Sequence, residues 1–272
     1  MAEQALSVDH KEAVAKRIVA ALDQRIDCIV KEFRLSPIGH LVETPDSPIG
    51  LIVATMREIY WEIHCYQPFT TKAGFAMIGA TNAEDGKVMR TLLLHKWEEV
   101  EHRVWALEGY KALGGDQSRI GKEAEFFSPG AFAVAAVWEH LAQRVHPLAY
   151  LGAEYLFEDL TARLSKLITA NLSKRGISRQ GMRFVVDHAT EDEKHSQLLR
   201  RLIEEVGHRH PDLMPQVPKS GVKLAGFVQI SPKIEGLLPK FMQQSISLHK
   251  SRFSPPTVLT YELDAESSLS TR

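Results

Sequence analysis

Apolar residues recur at steps of three and four along most of the chain, the period of an amphipathic helix. The first such run spans residues 8–33, with Val14, Ile18, Ala21, Ile26 and Val30 near one side. The stretch SPIGHLVETPDSPIG, with three prolines and two glycines, then reads as a loop. A second helix fits residues 51–66 and is stopped by Pro68; a third fits residues 73–77. ATNAEDGK is a turn, with Thr81 or Asn82 as the N-cap of the next helix. The fourth helix covers residues 87–113, and the GGD at 114–116 supplies its C-terminal stop. Ser128 caps a fifth helix with Pro129 at its first position, and Pro147 separates it from a sixth over residues 148–173. Ser178 caps a seventh that ends at Gly207. Only GVKLAGFVQI and PPTVLTYEL resemble strands. The pattern predicts an all-α domain of seven helices over residues 1–207. A proline-rich extension, residues 208–272, packs on it or is partly disordered.

The seventh helix breaks its own pattern. One stripe carries His188, Asp192, His195, Leu199, Leu202 and Val206 in steps of four and three. The apolar half marks this as the core-facing side, so the polar half is predicted to be buried with it. Three buried ionisable side chains cost several kcal/mol unless they find partners. A metal ion partners all three together, and mixed imidazole and carboxylate ligands suit iron, zinc, manganese or copper.

Two other helices offer matching groups. The fourth holds HKWEEVEHRVWALEGY, where His95, Glu99 and His102 lie along one side and Glu98 is within reach of it. Its apolar stripe is a different one: Leu93, Trp97, Val100, Val104 and Leu107. Taken alone, the His95–Glu99–His102 row reads as a solvated face. The sixth helix presents Glu154 and Glu158 four residues apart. Glu191, next to Asp192, is close enough to the stripe of the seventh helix to support the ligands.

Composition narrows the function. The chain has 272 residues, 44% of them hydrophobic, and a net charge of −1 with 12 histidines uncounted. That balance gives no sign of a nucleic-acid partner. No run of about 18 apolar residues suggests a membrane span, and the first residues lack the apolar core of a secretion signal. Cys28 and Cys65 are too few for a disulfide framework. A cytoplasmic protein is expected.

HATEDEKH, an H-x3-D-x2-H pattern, resembles the last-helix signature of the heme-oxygenase-like diiron oxidases and oxygenases. The order of the other groups is similar too: His102 stands 86 residues before His188 and Glu158 stands 30 before it. YLFE, ending at Glu158, looks like the aromatic-x-x-Glu segment of that superfamily and favours Glu158 over Glu154. The resemblance covers residues 51–206. It implies a seven-helix heme-oxygenase-like bundle, two non-heme Fe(II) ions and O2 as cosubstrate. The implied ligands are Glu99, His102, Glu158, His188, Asp192 and His195, with Glu154, His95 and Glu191 as further ligands or supports. At the family's first acidic ligand the pattern stays open: Glu99 stands one turn before His102 and His95 stands two turns before it.

Members of that superfamily oxygenate nitrogen, desaturate, or cleave carbon–carbon bonds in amino acids or fatty acids, often in biosynthesis. Trp105, Tyr155, Phe184 and Arg183 are candidates for a substrate pocket, and the arginines of these helices favour an amino-acid-like small molecule over a fatty acid. Bundles of this kind commonly dimerise through exposed helix faces, so the resemblance allows a homodimer, while the sequence leaves the oligomeric state open. The alternative is a metal-free enzyme of the same fold, thiaminase-like or a cofactorless oxidase, with Cys65 as the nucleophile a thiaminase would need. A non-enzymatic helical protein and a zinc hydrolase complete the alternatives.

Overall fold

The computed structural model describes residues 8–221, with side chains from residue 12. Eight α-helices lie wholly within that span: α1 (Val8–Arg34), α2 (Pro37–Glu43), α3 (Ile49–Gly79), α4 (Gly86–Glu99), α5 (His102–Ala112), α6 (Pro129–Arg144), α7 (Leu151–Leu172) and α8 (Arg179–Arg209); residues 217–221 are helical as well. The start signals work as local chemistry predicts. Ser128 Oγ accepts from Ala131 N–H and Ser178 Oγ from Gly181 N–H, each satisfying a donor that a helix start leaves unpaired. Beyond α5, Gly114 adopts a left-handed φ of 75°, which a residue with a Cβ rarely does.

Three departures from the sequence pattern matter. The SPIGHLVETPDSPIG loop contains α2, capped by Ser36 Oγ, which accepts from Gly39 N–H. Pro68 does not stop a helix but lies inside α3. A proline there costs about 3 kcal/mol, and α3 meets that cost by burying Tyr60, Trp61, Ala73, Met77 and Ile78 on either side of it. The predicted fourth helix is two helices, α4 and α5, separated by Val100 and Glu101. Both residues keep right-handed helical dihedrals. The ladder is what changes: Val100 N–H bonds Trp97 O, an i to i−3 bond, at 3.4 Å, and α5 restarts on the Glu101 carbonyl.

The core is built around α7, which packs along α8, while α3 packs on α5 and α6 and α1 covers α7 and α8. On α1 the buried stripe is Ala15, Val19, Leu22, Ile26 and Ile29, one residue out of phase with most of the stripe that the pattern favoured. Apolar side chains gather in two clusters. One joins α1, α7, the start of α4 and the C-terminal half of α8; the other joins Tyr60, Trp61, Tyr110, Leu172, Met182 and Phe184. Three segments pass from one cluster to the other through a polar layer. On α8 that layer is His188, Asp192 and His195; on α4 and α5 it is His95, Glu99 and His102; on α3 it is Gln67 and Thr70.

After α8, a 3-10 turn over Pro211–Gln216 packs against α1 and α8. Ser220 Oγ then donates to Ala149 O. All of these residues belong to one compact unit. The strand candidates, Gly221 apart, lie outside the described residues. Among the described residues no helix is long and apolar enough to cross a membrane.

Candidate metal centre

The polar layer forms two groups of ligand-type side chains. His95, Glu99, Glu158 and His195 make one; His102, His188 and Asp192 make the other. Within each, one ligand atom per residue lies within 4.8 Å of all the others, and all seven residues are buried. In the first group His95 Nε2 is 3.1 Å from Glu158 Oε1, and His195 Nδ1 is 3.5 Å from Glu158 Oε2. Glu99 connects the two groups. Its Oε1 lies 3.3 Å from His195 Nδ1, while its Oε2 lies 2.9 Å from His102 Nδ1. The His102 and His188 rings are 4.2 Å apart, and His95 and His195 are 4.4 Å apart.

Several of these polar atoms have no hydrogen-bond partner. They are His95 Nδ1, Glu99 Oε1, Asp192 Oδ1 and His195 Nδ1. Glu99 Oε1 and His195 Nδ1 are near one another but not aligned to share a proton. Each stranded buried atom costs about 1–3 kcal/mol, more if charged. A cation held in each group would remove that cost, and the donor set of imidazoles and carboxylates fits iron.

Electrostatics describe a crowded set of charges. Burial pushes the Asp192 carboxyl well above its ordinary range, reinforced by Glu158 and Glu99. Burial also acts to raise Glu99, but His102 and His195 outweigh it and hold that carboxyl well below its usual range. Glu158 goes down to about 2, because His95 and His195 overcome burial and the nearby Glu99. Burial brings His188 down to about 4, helped by His102. His195 goes the other way, to about 11, since Glu158 and Glu99 outweigh burial. Carboxylates and imidazoles here stabilise or suppress one another's charge, which is the role a metal would take over.

The supports around the ligands are visible. His188 Nδ1 pairs with the Phe184 carbonyl at 2.7 Å, which leaves Nε2 for a metal. His195 Nε2 pairs with Glu98 Oε2 at 2.9 Å, which leaves Nδ1. Such outer partners fix the tautomer and the ring orientation. Gln67 on α3 donates to Glu99 Oε2. Glu154 does not enter either group: its Oε2 lies 2.6 Å from Lys96 Nζ, and both side chains are buried. Burial acts to lower the Lys96 ammonium, but Glu154, Glu99 and Glu158 together raise it. Glu191 pairs with Lys194 on the outer side of α8.

Of the four pocket candidates, two border the second group. The Phe184 ring stacks on His188 at 3.8 Å, and Trp105 is 4.7 Å from His102. Arg183 lies over Trp105 and pairs with Glu108 and Asp187. Tyr155 instead donates to Asp23 of α1. Cys65 is not in either group, and burial, with Glu62 and Glu123 nearby, pushes its thiol up to about 12. Sequence reasoning missed Lys96 and Gln67. A lysine is by default a surface residue, and nothing in the periodicity marks one as internal.

A family model described as iron-containing redox enzyme matches residues 66–220, more than half of the chain. A crystal structure of a domain of unknown function with a heme oxygenase-like fold, from Shewanella denitrificans OS217, is similar with a TM-score of 0.61. The two share 20% sequence identity, over 81% of this chain and 94% of that one. No curated protein matches the chain. The fold of the helical bundle is therefore heme oxygenase-like.

Proposed function

Since the chain belongs to the iron-containing redox enzyme family, we propose that it is a non-heme diiron oxidase or oxygenase that uses O2 on a small amino-acid-like substrate. One observation carries the reading: two buried groups of histidines and carboxylates share Glu99 and leave four polar atoms without partners. His95, Glu158 and His195 would hold one ion and His102, His188 and Asp192 the other, with Glu99 reaching residues of both groups. Two ferrous ions, when bound, would supply electrons to O2 and Lewis acidity.

The chain's own residues shape what such ions could do. Three carboxylates, Glu99, Glu158 and Asp192, offset most of the charge of two divalent ions. The Lys96–Glu154 pair adds no net charge. It neutralises a fourth carboxylate that could otherwise compete as a ligand. Phe184 and Trp105 wall the second group with apolar surface, which keeps bulk water from that side. The amino-acid-like substrate class rests on Arg183. Its guanidinium lies over Trp105, where a substrate carboxylate could replace the single contact of Glu108 with a bidentate one. A biosynthetic role in the cytoplasm is consistent with this chemistry.

The test is anaerobic loading with Fe(II), then mixing with O2 in the presence of a panel of amino acids and fatty acids. The expected result is uptake of about two iron ions per chain, with O2 consumption accelerated by an amino-acid-like compound. Iron uptake and O2 consumption unchanged in His188→Ala and Asp192→Ala would refute the metal assignment. Acceleration by fatty acids alone would refute the substrate class.

A further inference from the structure

Opposite the metal groups, α4 and α5 present an apolar face to solvent. Leu93 is 46% exposed, Leu94 62%, Trp97 71%, Val100 43% and Val104 45%. Arg90 and Glu101 are exposed as well, and neither forms an ion pair within the described residues. At about 100° per residue, all seven side chains fall within about 60° of Trp97, so they make one stripe. Monomeric proteins seldom leave a continuous apolar strip rimmed by charge open to water.

We propose that this stripe is a two-fold interface, and that its occupant is a second copy of the chain packed antiparallel through α4. Charge selects that occupant. The stripe is basic at the end that carries Arg90 and acidic at the end that carries Glu101, so it is complementary to its own reverse. An axis midway between Leu94 and Trp97 sets Leu94 of one copy on Trp97 of the other. The same axis brings Arg90 of one opposite Glu101 of the other, because both pairs are centred on the same point of the helix. Parallel packing would set like charges together. Glu98 flanks the stripe and pairs with His195, so the second copy would also lie over the solvent side of the first metal group. The inference does not depend on which metal, if any, the site holds.

Sedimentation velocity and light scattering of the full-length protein at micromolar concentration test it. The expected mass is twice the 30.5 kDa of one chain. Trp97→Glu should give a monomer. Arg90→Glu should weaken the dimer by about tenfold or more, and adding Glu101→Arg to it should restore association. Three results would overturn the proposal. The wild type could be monomeric, including with residues 90–104 protected from hydrogen exchange, which would mean that another part of the same chain covers the stripe. The Trp97→Glu protein could remain a dimer. The charge-swapped double variant could associate no better than Arg90→Glu alone.

Discussion

Glu99 is the side chain on which the site turns. It reaches His102 with one oxygen and His195 with the other, so its loss should disturb both groups, whereas the loss of His102 should disturb one. In Fe(II)-loaded protein, His102→Ala is expected to keep about one of two ions and Glu99→Ala to keep fewer. Metal analysis after desalting reads the difference; equal losses would count against a shared ligand. Glu98→Ala, which frees the outer nitrogen of His195, should weaken metal affinity by about 10- to 100-fold with the fold intact, measured by competition with a chelator. Cys65 gives a third expectation. With its thiol pushed up to about 12 by burial, it should resist alkylation at neutral pH, while exposed Cys28 reacts. A thiol assay that labels one cysteine in the native protein and two after denaturation checks this. His188, Asp192 and His195 were legible in the sequence because they continue the stripe of Leu199, Leu202 and Val206. Lys96 and Gln67 were not, because their burial is set by neighbours on other helices.

At the scale of elements, α4 is the helix whose facing the pattern leaves open. Two stripes compete on it and on α5, which continues it. Leu93, Trp97, Val100 and Val104 make the larger apolar one; Val88, Leu92, His95, Glu99, His102 and Ala106 make a weaker one with polar residues in the middle. The structure buries the second. Leaving an aliphatic or aromatic side chain exposed forgoes about 1.5–3 kcal/mol. Stranding the buried histidines and acids of α8 and α7 without partners costs several kcal/mol for each charge. Turning His95, Glu99 and His102 inward meets that larger demand, and a second copy on the outer face would recover the smaller one. Gly74 shows how closely α3 approaches here: a Cβ at that position would lie 2.7 Å from Lys96 Cδ. Gly74→Val is expected to displace the Lys96–Glu154 pair and to destabilise the fold by about 1–3 kcal/mol. Denaturant unfolding would measure it, and an unchanged midpoint would contradict the close approach.

For the molecule as a whole, the polar layer between two apolar clusters is a weak plane until something fills it. Metal that binds only the folded chain adds stability by mass action, about 2.7 kcal/mol at a concentration a hundred times its dissociation constant. Thermal melts should therefore rise with Fe(II), or with Mn(II), which air oxidises far less readily, and fall with chelator. In His188→Ala combined with Asp192→Ala the metal-dependent shift should shrink, because only the group of His95, Glu99, Glu158 and His195 is left intact to hold an ion. A shift of the same size in that double variant would place the binding elsewhere.

The sequence by itself determined the helical class, the caps at Ser128 and Ser178, the stop at Gly114 and the buried polar stripe of α8, because each is written in residues three or four positions apart. Tertiary structure decided what local patterns leave degenerate. It carried α3 through Pro68, since burial on both sides outweighs one lost hydrogen bond. It divided the fourth helix at Val100 and Glu101. It brought both His95 and Glu99 to the first group, where the sequence left Glu99, His95 or both open. Above all it chose which face of α4 points inward, because that choice depends on the unpaired charges of helices far away in the chain.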